Sequence, residues 1–393
     1  MRTPVRPPNE AAGTRSVTAL LTAVMGVSMV QLFLIGALGP RLVEAGVPRA
    51  VLGLTTTAGF GIAAALSFTA GRWVDRLGAR RCLVALLVIA AAALALISVS
   101  GGSWMLLLAV ALGGLPQALA NPATNKVILA VVEPTRRGAV TGWKQSGVQL
   151  GALAAGLPLA TVAVWAGWRG AVAVSAAIAL LIAVWATRAL PPDPARADSR
   201  RPAAPPGRGV AVLAFFSFLL GCAIAAVNTY LSLYGAQRLG LSPVVAGWLV
   251  AVLGVTGVAG RVGWARRAGR IPRADALLAP LAAGACAAAL LLFASGNVSL
   301  LVWAGAAVVG AFAVAANAVS MVAVIRWADP RTAGRDSALV SSGFFAGFAA
   351  GPPLFGIVVD ATGYGPAWLL VAGEFAAAAV VAAPAWFGSR AHA

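Results

Sequence analysis

The chain has 393 residues, 60% of them hydrophobic and only 10% charged, with a formal net charge of +18. Soluble domains carry roughly 25% charged residues, so a water-soluble globular protein is excluded, and the alternating pattern of a membrane β-barrel is missing. What remains is an all-α membrane protein: backbone groups in lipid are satisfied within their own helix, and at about 20 apolar residues per span plus a loop the length fits about twelve spans.

Residues 1–16 carry Pro4, Pro7 and Pro8 with Arg2, Arg6 and Arg15, and read as a basic cytoplasmic tail. The apolar run that follows is too long for the core of a cleaved signal peptide. Spans are predicted at 17–39, 49–71, 82–100, 104–131, 138–164 and 169–189. A second set is predicted at 209–234, 243–263, 275–295, 299–326, 335–359 and 365–387. Arginine crowds the 72–81, 132–137, 190–208, 264–274 and 327–334 loops. On the opposite side only Arg41, Arg49, Arg169 and Arg238 fall. That asymmetry places both termini in the cytoplasm and the chain in the inner membrane, and it accounts for the positive charge without nucleic acid.

Residues 190–208, PPDPARADSRRPAAPPGR after Leu190, form the one long hydrophilic interruption and read as a flexible cytoplasmic linker. It separates a bundle at 17–189 from a second at 209–388, with 389–393 as a cytoplasmic tail. A shift of 196 positions lays Asn121 on Asn317, Glu133-Pro134 on Asp329-Pro330 and Gly138 on Gly334. It also lays Ser146-Gly147 on Ser342-Gly343, Gly151 on Gly347 and Gly167 on Gly363. One offset matching a turn, a polar residue and a series of glycines marks an internal duplication. Glycine rows such as Gly147/Gly151 and Gly343/Gly347 suit close helix packing in lipid.

Lys126 and Lys144 are the only lysines in the chain. Each lies about two turns inside a span, where a charge costs at least about 2.5–3.5 kcal/mol, so both are candidates for function. Gln117, Asn121 and Asn125 share a face of span four; Thr141, Gln145 and Gln149 share one of span five. Ammonium groups among amides suit an anionic or strongly polar small molecule. The competing reading is that both lysines snorkel to the headgroups. Gln31, Asn228, Asn317 and Ser341 are further candidate lining residues, with Tyr230 and Ser342 beside them. Charge is expected in the N-terminal half alone, because Lys126 and Lys144 fall opposite Val322 and Val340 in the repeat. Glu374, the one carboxylate deep in a predicted span, is a weak candidate for carrying a proton. Cys82, Cys222 and Cys286 have no metal spacing, the single His392 lies in the tail, and no P-loop is present. Neither an enzyme nor a cofactor is expected.

Gly71–Leu83 reads GRWVDRLGARRCL. It resembles the signature loop of the major facilitator superfamily, G-x-L-a-D-r-x-G-r-k-x-x-l, with Gly71, Asp75, Arg76, Gly78, Arg80 and Leu83 matching and Trp73, Val74 and Ala79 departing. The resemblance implies twelve helices in two pseudo-symmetric six-helix bundles. It also implies a gating role for Gly71, Asp75, Arg76, Gly78, Arg80 and Arg81, with Asp75 meeting the start of span eleven near Gly334–Asp336. The corresponding stretch of the second half, GRVGWARRAGRIPRAD, keeps Gly260 and Arg261 and offers Trp264 where the acid falls. Span four lacks the arginine that many members carry before their glycine pair, since Ala109 and Val110 precede Gly113-Gly114. Span five lacks the Gly-Pro core of drug antiporters, since Ala152 follows Gly151. The implied function is secondary transport of a small solute, polar or anionic, by proton-coupled alternating access in a monomer. A drug or metabolite efflux antiporter is the alternative, and a non-transporting membrane receptor the reading from another class.

Overall fold

Alanine, leucine and valine runs without internal charge have one stable answer in lipid, the helix. The computed structural model, which describes residues 10–193 and 206–383, is built from helices. In chain order they are α1 Glu10–Ala37, α2 Arg49–Leu77, α3 Ala79–Ser98, α4 Ser103–Val131, α5 Arg137–Gly156 and α6 Pro158–Ala189. The second set is α7 Arg208–Gln237, α8 Pro243–Arg270, α9 Leu278–Ala294, α10 Leu301–Trp327, α11 Ala333–Thr362 and α12 Tyr364–Val381. Among the described residues, eleven helices are long and apolar enough to cross a membrane. The remaining crossing is α5, whose Lys144, Gln145 and Gln149 make it the most polar.

The fifth span does not end at Gly156. Leu157-Pro158 interrupts it, residues 158–166 complete it, and the chain turns at Gly167, where φ is 69° and ψ 171°. Arg169 then reaches the carbonyl of Ser100 while the carbonyl of Thr187 meets Arg80, so the stretch after Gly167 runs back across the bundle. Gly363, the repeat partner of Gly167, makes the same left-handed turn between α11 and α12 with φ 87° and ψ 178°. Glycine occupies both because a Cβ disfavours that region.

The duplication is also visible in the packing. In each half the first span lies on the fifth (α1 on α5, α7 on α11) and the third on the sixth (α3 on α6, α9 on α12). A Cβ at Gly147 would collide with the carbonyl of Thr22 on α1, and one at Gly343 with the carbonyl of Ala214 on α7. A third pair of related glycines sits where the fourth and tenth spans are irregular. Gly114 faces the Gly59 carbonyl of α2 just after α4 is interrupted at Gly113, and Gly310 faces the Leu253 carbonyl of α8 within the π-helical turn Val309–Val314. Between the halves, α2 packs on α11 and α5 on α8.

The structure corrects several sequence-based boundaries. Helix α1 begins at Glu10, inside the stretch read as a tail, and α2 and α8 continue to Leu77 and Arg270. Most of the signature read as a loop is therefore the protruding end of α2, broken at Gly78 with φ 97°. The linker is not free from its first residue either. Asp193 accepts hydrogen bonds from the backbone N–H groups of Arg80 (2.9 Å) and Arg81 (2.9 Å), capping the start of α3. The rest of the linker from 194 to 205, and the 389–393 tail, lie outside the described residues.

Gly147→Ala and Gly343→Ala should each cost about 1–3 kcal/mol, because a carbonyl in the neighbouring helix backbone must move. Gly247→Ala and Gly373→Ala, with nothing within 4 Å of an added Cβ, should leave stability unchanged. Thermal unfolding in detergent measures both, and equal losses in the two pairs would contradict the packing described.

Candidate functional site

The halves close at the arginine-rich end. Asp75, at the end of α2, accepts hydrogen bonds from the backbone N–H groups of Gly334 (3.0 Å) and Arg335 (2.9 Å) at the start of α11. A carboxylate on the positive end of a helix satisfies two donors that the helix itself leaves unpaired. The approach depends on small residues: an added Cβ at Gly71 would lie 2.5 Å from that of Ala338, and one at Gly334 would lie 2.7 Å from Asp75 Oδ1. Lys126 belongs to this latch. Its ammonium donates to Asp75 Oδ1 at 3.0 Å and to the carbonyls of Val74 and Asp75, so it neither lies beside Lys144 nor extends to headgroups. Gly78 makes the break behind the latch, Arg80 donates to Thr187 O at 2.5 Å, and the Arg76 and Arg81 side chains are exposed.

The other seam between the halves is closed differently. A Cβ on Gly138 of α5 would collide with the carbonyl of Ala265 and approach Gly269 Cα to 2.7 Å. The residue of α8 facing Gly138, as Asp75 faces Gly334, is thus Gly269. Trp264 packs against Phe312 of α10 instead. The register inferred from Gly260-Arg261 is therefore displaced along the helix, and this seam has backbone contact with no acid in it among the described residues.

Deeper, a polar layer joins both halves. Lys144 is completely buried, and its ammonium donates to Asn121 Oδ1 (3.0 Å) and Asn125 Oδ1 (2.6 Å) on α4. Gln145 donates to the same Asn121 oxygen at 3.0 Å. Asn125 passes the chain across the interface, donating to Ser337 Oγ of α11 at 3.0 Å and lying 3.5 Å from Met321 Sδ of α10. From α8, Arg261 donates to the Gln145 carbonyl, to Gln149 Oε1 and to the Val314 carbonyl. Arg261 is 4% exposed. The second half thus does contribute a buried charge, contrary to the expectation drawn from Val322 and Val340. Sequence position 261 lay within predicted span eight, and the rule that singled out the lysines applies to it equally; reading it as part of a loop signature hid it.

Among the described residues no carboxylate contacts Lys144 or Arg261. Their hydrogen-bond partners are neutral oxygens. Several neighbours have unspent hydrogen-bonding capacity: Gln117 Oε1 and Nε2, Thr141 Oγ1, Asn317 Oδ1 and Ser341 Oγ are buried without a partner among the described residues. Gln31 is also buried but spends its amide on the Val110 carbonyl of α4 at 3.3 Å. Asn228 is exposed on α7 and joins none of these contacts. Glu374 lies on α12, which packs against α7, α9 and α11, and one of its oxygens has no partner.

The two halves are held together from the latch up to the level of Phe60, whose ring lies 4.9 Å from that of Phe348. Beyond Gln149 and Arg261, α5 and α8 part: Gly156, Gly247 and Gly254 have nothing within 4 Å of an added Cβ. Two bundles closed at one end over a polar layer, built from one repeated unit, are the architecture of a rocking carrier. The family model described as Major Facilitator Superfamily matches residues 19–304.

The chain belongs to the major facilitator superfamily.

Two curated relatives, both uncharacterised MFS-type transporters of Mycobacterium tuberculosis (strains CDC 1551 / Oshkosh and ATCC 25618 / H37Rv), are each 27% identical to it. Each alignment covers 95% of this chain and 86% of the relative. Among solved structures, the human organic anion transporter MFSD10 (TETRAN) superposes with a TM-score of 0.78 at 18% identity, covering 96% of this chain and 100% of that one. The proton:xylose symporter XylE, bound to 6-bromo-6-deoxy-D-glucose, superposes with a TM-score of 0.75 at 14% identity, covering 94% and 95%. At these identities the likeness is one of fold, the twelve-helix, two-bundle architecture.

The latch predicts a measurable bias. In a background with Cys82, Cys222 and Cys286 replaced by Ala, Ser337→Cys puts a thiol at a fully buried interface position. Asp75→Asn weakens the helix-end contact by about 1–2 kcal/mol and should raise maleimide labelling of that thiol roughly 5–30-fold. Unchanged labelling would show that Asp75 does not hold the halves together.

Proposed function

We propose that this superfamily member carries a small anionic solute across the inner membrane by alternating access, with Lys144 and Arg261 as its binding cations. The observation that carries the reading is the complete burial of Lys144 among amide oxygens, with Arg261 in the same layer and no contacting acid. A buried charge of this kind is costly, and a structural ion pair would have been cheaper. An anion arriving from the open end satisfies the charge and competes with Gln149 for Arg261, loosening the α5–α8 contact beneath it. Lys126 is left out of the binding set, because Asp75 already neutralises it. Asn121, Asn125, Gln145 and Gln149 orient the two cations, and Gln117, Thr141, Asn317 and Ser341 supply neutral contacts from both halves. The arginine-rich end is taken as cytoplasmic by the positive-inside rule, so the arrangement described faces outward. The organic anion transporter among the structural neighbours agrees in substrate class, and the proton:xylose symporter supports a proton gradient as the driving force. Glu374, on the far side of α7, is assigned no part in coupling.

Purified protein is screened by thermal shift against mono- and dicarboxylates, organic phosphates and neutral sugars, and hits are followed as flux into proteoliposomes under an imposed pH gradient. Losing one charged hydrogen-bond partner removes roughly 1.5–3 kcal/mol, so Lys144→Ala and Arg261→Gln should each weaken the anion that binds by roughly 10–150-fold. Glu374→Gln should transport at the wild-type rate. Stabilisation by neutral sugars alone, equal in wild type and Lys144→Ala, would overturn the anion assignment while leaving the carrier fold intact.

A further inference from the structure

A groove of about 930 Å³ runs along the outer face of the first half, between α1, α5 and α6. It extends from Thr14 to Val30 on α1, roughly 24 Å at the rise of an α-helix, against about 15 Å for one leaflet of hydrocarbon. Most of its length is apolar, with Val27, Leu150 and Ile178 among its walls. Its arginine-rich end is different. Arg15 of α1, Arg136 before α5 and Arg266 of α8 line it there, and among the described residues no acid does. None of the three guanidinium groups has a hydrogen-bond or ion-pair partner among the described residues. Trp143, 40% exposed, stands just below them, the depth at which amphipathic rings favour the interface.

Arg266 comes from the second half, so the arginine cluster straddles the α5–α8 seam, one turn from the Gly138–Gly269 contact. This is the seam that lacks an acid. On the α2–α11 seam Asp75 supplies a negative charge across the halves; on this one three arginines line the groove with no acid beside them among its described lining residues. We propose that an anionic phospholipid occupies the groove, its headgroup phosphate between Arg15, Arg136 and Arg266, and that it stands in for the missing carboxylate and favours closure of this end. Charge decides the occupant. The chain's own candidate segments are basic: residues 1–9 carry Arg2 and Arg6 without an acid, and residues 194–205 carry Arg196, Arg200 and Arg201 against Asp198. Basic pockets between spans are where anionic headgroups bind, and an apolar groove below the headgroup suits an acyl chain.

The test uses the full chain, delipidated and offered equal amounts of phosphatidylglycerol and phosphatidylcholine, with retained lipid counted by native mass spectrometry. Wild type should retain at least fivefold more phosphatidylglycerol. The triple change Arg15→Gln, Arg136→Gln, Arg266→Gln should bring the two to parity, while Arg188→Gln, Arg267→Gln, Arg331→Gln, at exposed arginines of the same end, should keep the preference. Ala154→Phe, which fills the groove without touching charge, should reduce retention of both lipids. In nanodiscs, phosphatidylglycerol should lower maleimide labelling at Ser337→Cys severalfold relative to phosphatidylcholine, and Arg266→Gln should abolish that difference. Inorganic phosphate at the same concentration should do nothing; if it protects as well as the lipid, the site binds a free anion and the lipid assignment is wrong. Equal loss in both arginine triples, or no preference in wild type, would also overturn the proposal.

Discussion

Close approach of helix backbones is the constraint on which this molecule rests. In lipid no hydrophobic gain drives one apolar helix onto another, so dispersion contacts and interhelical hydrogen bonds must do it. Glycine appears where they do: at Gly147 and Gly343 inside the halves, and at Gly71, Gly334, Gly138 and Gly269 between them. The first pair is deep within each bundle and keeps it a rigid body. The others sit at one end of the interface, where a smooth contact can form and separate without unlocking interdigitated side chains.

That division of labour makes the polar layer intelligible. Polar groups between bundles that must part are better held by single hydrogen bonds, each worth about 0.6 kcal/mol on average in membrane helices, than by ion pairs. The cross-interface links here are hydrogen bonds without an ion pair: Asn125 to Ser337, Ser342 Oγ to the Ala64 carbonyl, and Arg261 to the Gln145 carbonyl and the Gln149 amide oxygen of α5. The ion pair that holds Asp75, Lys126–Asp75, lies wholly within the first half. It positions Asp75 but does not itself span the seam, so only backbone N–H groups need release it.

The architecture was legible because repetition and charge asymmetry are properties of the string. The 196-residue shift anticipates the paired turns at Gly167 and Gly363 and the paired glycine contacts at Gly147 and Gly343. Side-chain depth was less legible. Lys126 and Lys144 look alike in sequence, each about two turns into a span, yet α4 continues only to Val131 and turns Lys126 toward α2, while Lys144 points into the bundle centre. No periodicity in either helix contains that difference, since it depends on which neighbour each helix face meets. Arg261 was hidden for a related reason: helix α8 extends to Arg270, so a residue that looked close to a loop is more than two turns inside the structure. Gln145 and Asn121 form the contact their shared polar faces implied, whereas Asn228 has the same chemistry on an outward face.

The capping of α3 by Asp193 bears on how the halves are coupled through the chain. The connector is pinned at the signature helix break, so its effective length begins at residue 194 and runs to the described chain at 206. Twelve residues can still reach roughly 40 Å when extended, more than a rocking motion of bundle ends demands. The covalent tether therefore contributes little to choosing between conformations. Only the anchor at Asp193 moves with the α2–α3 corner. The two bundles are in effect a bivalent pair held at high local concentration, and the weak seams between them can be individually feeble while the assembly remains one molecule in function.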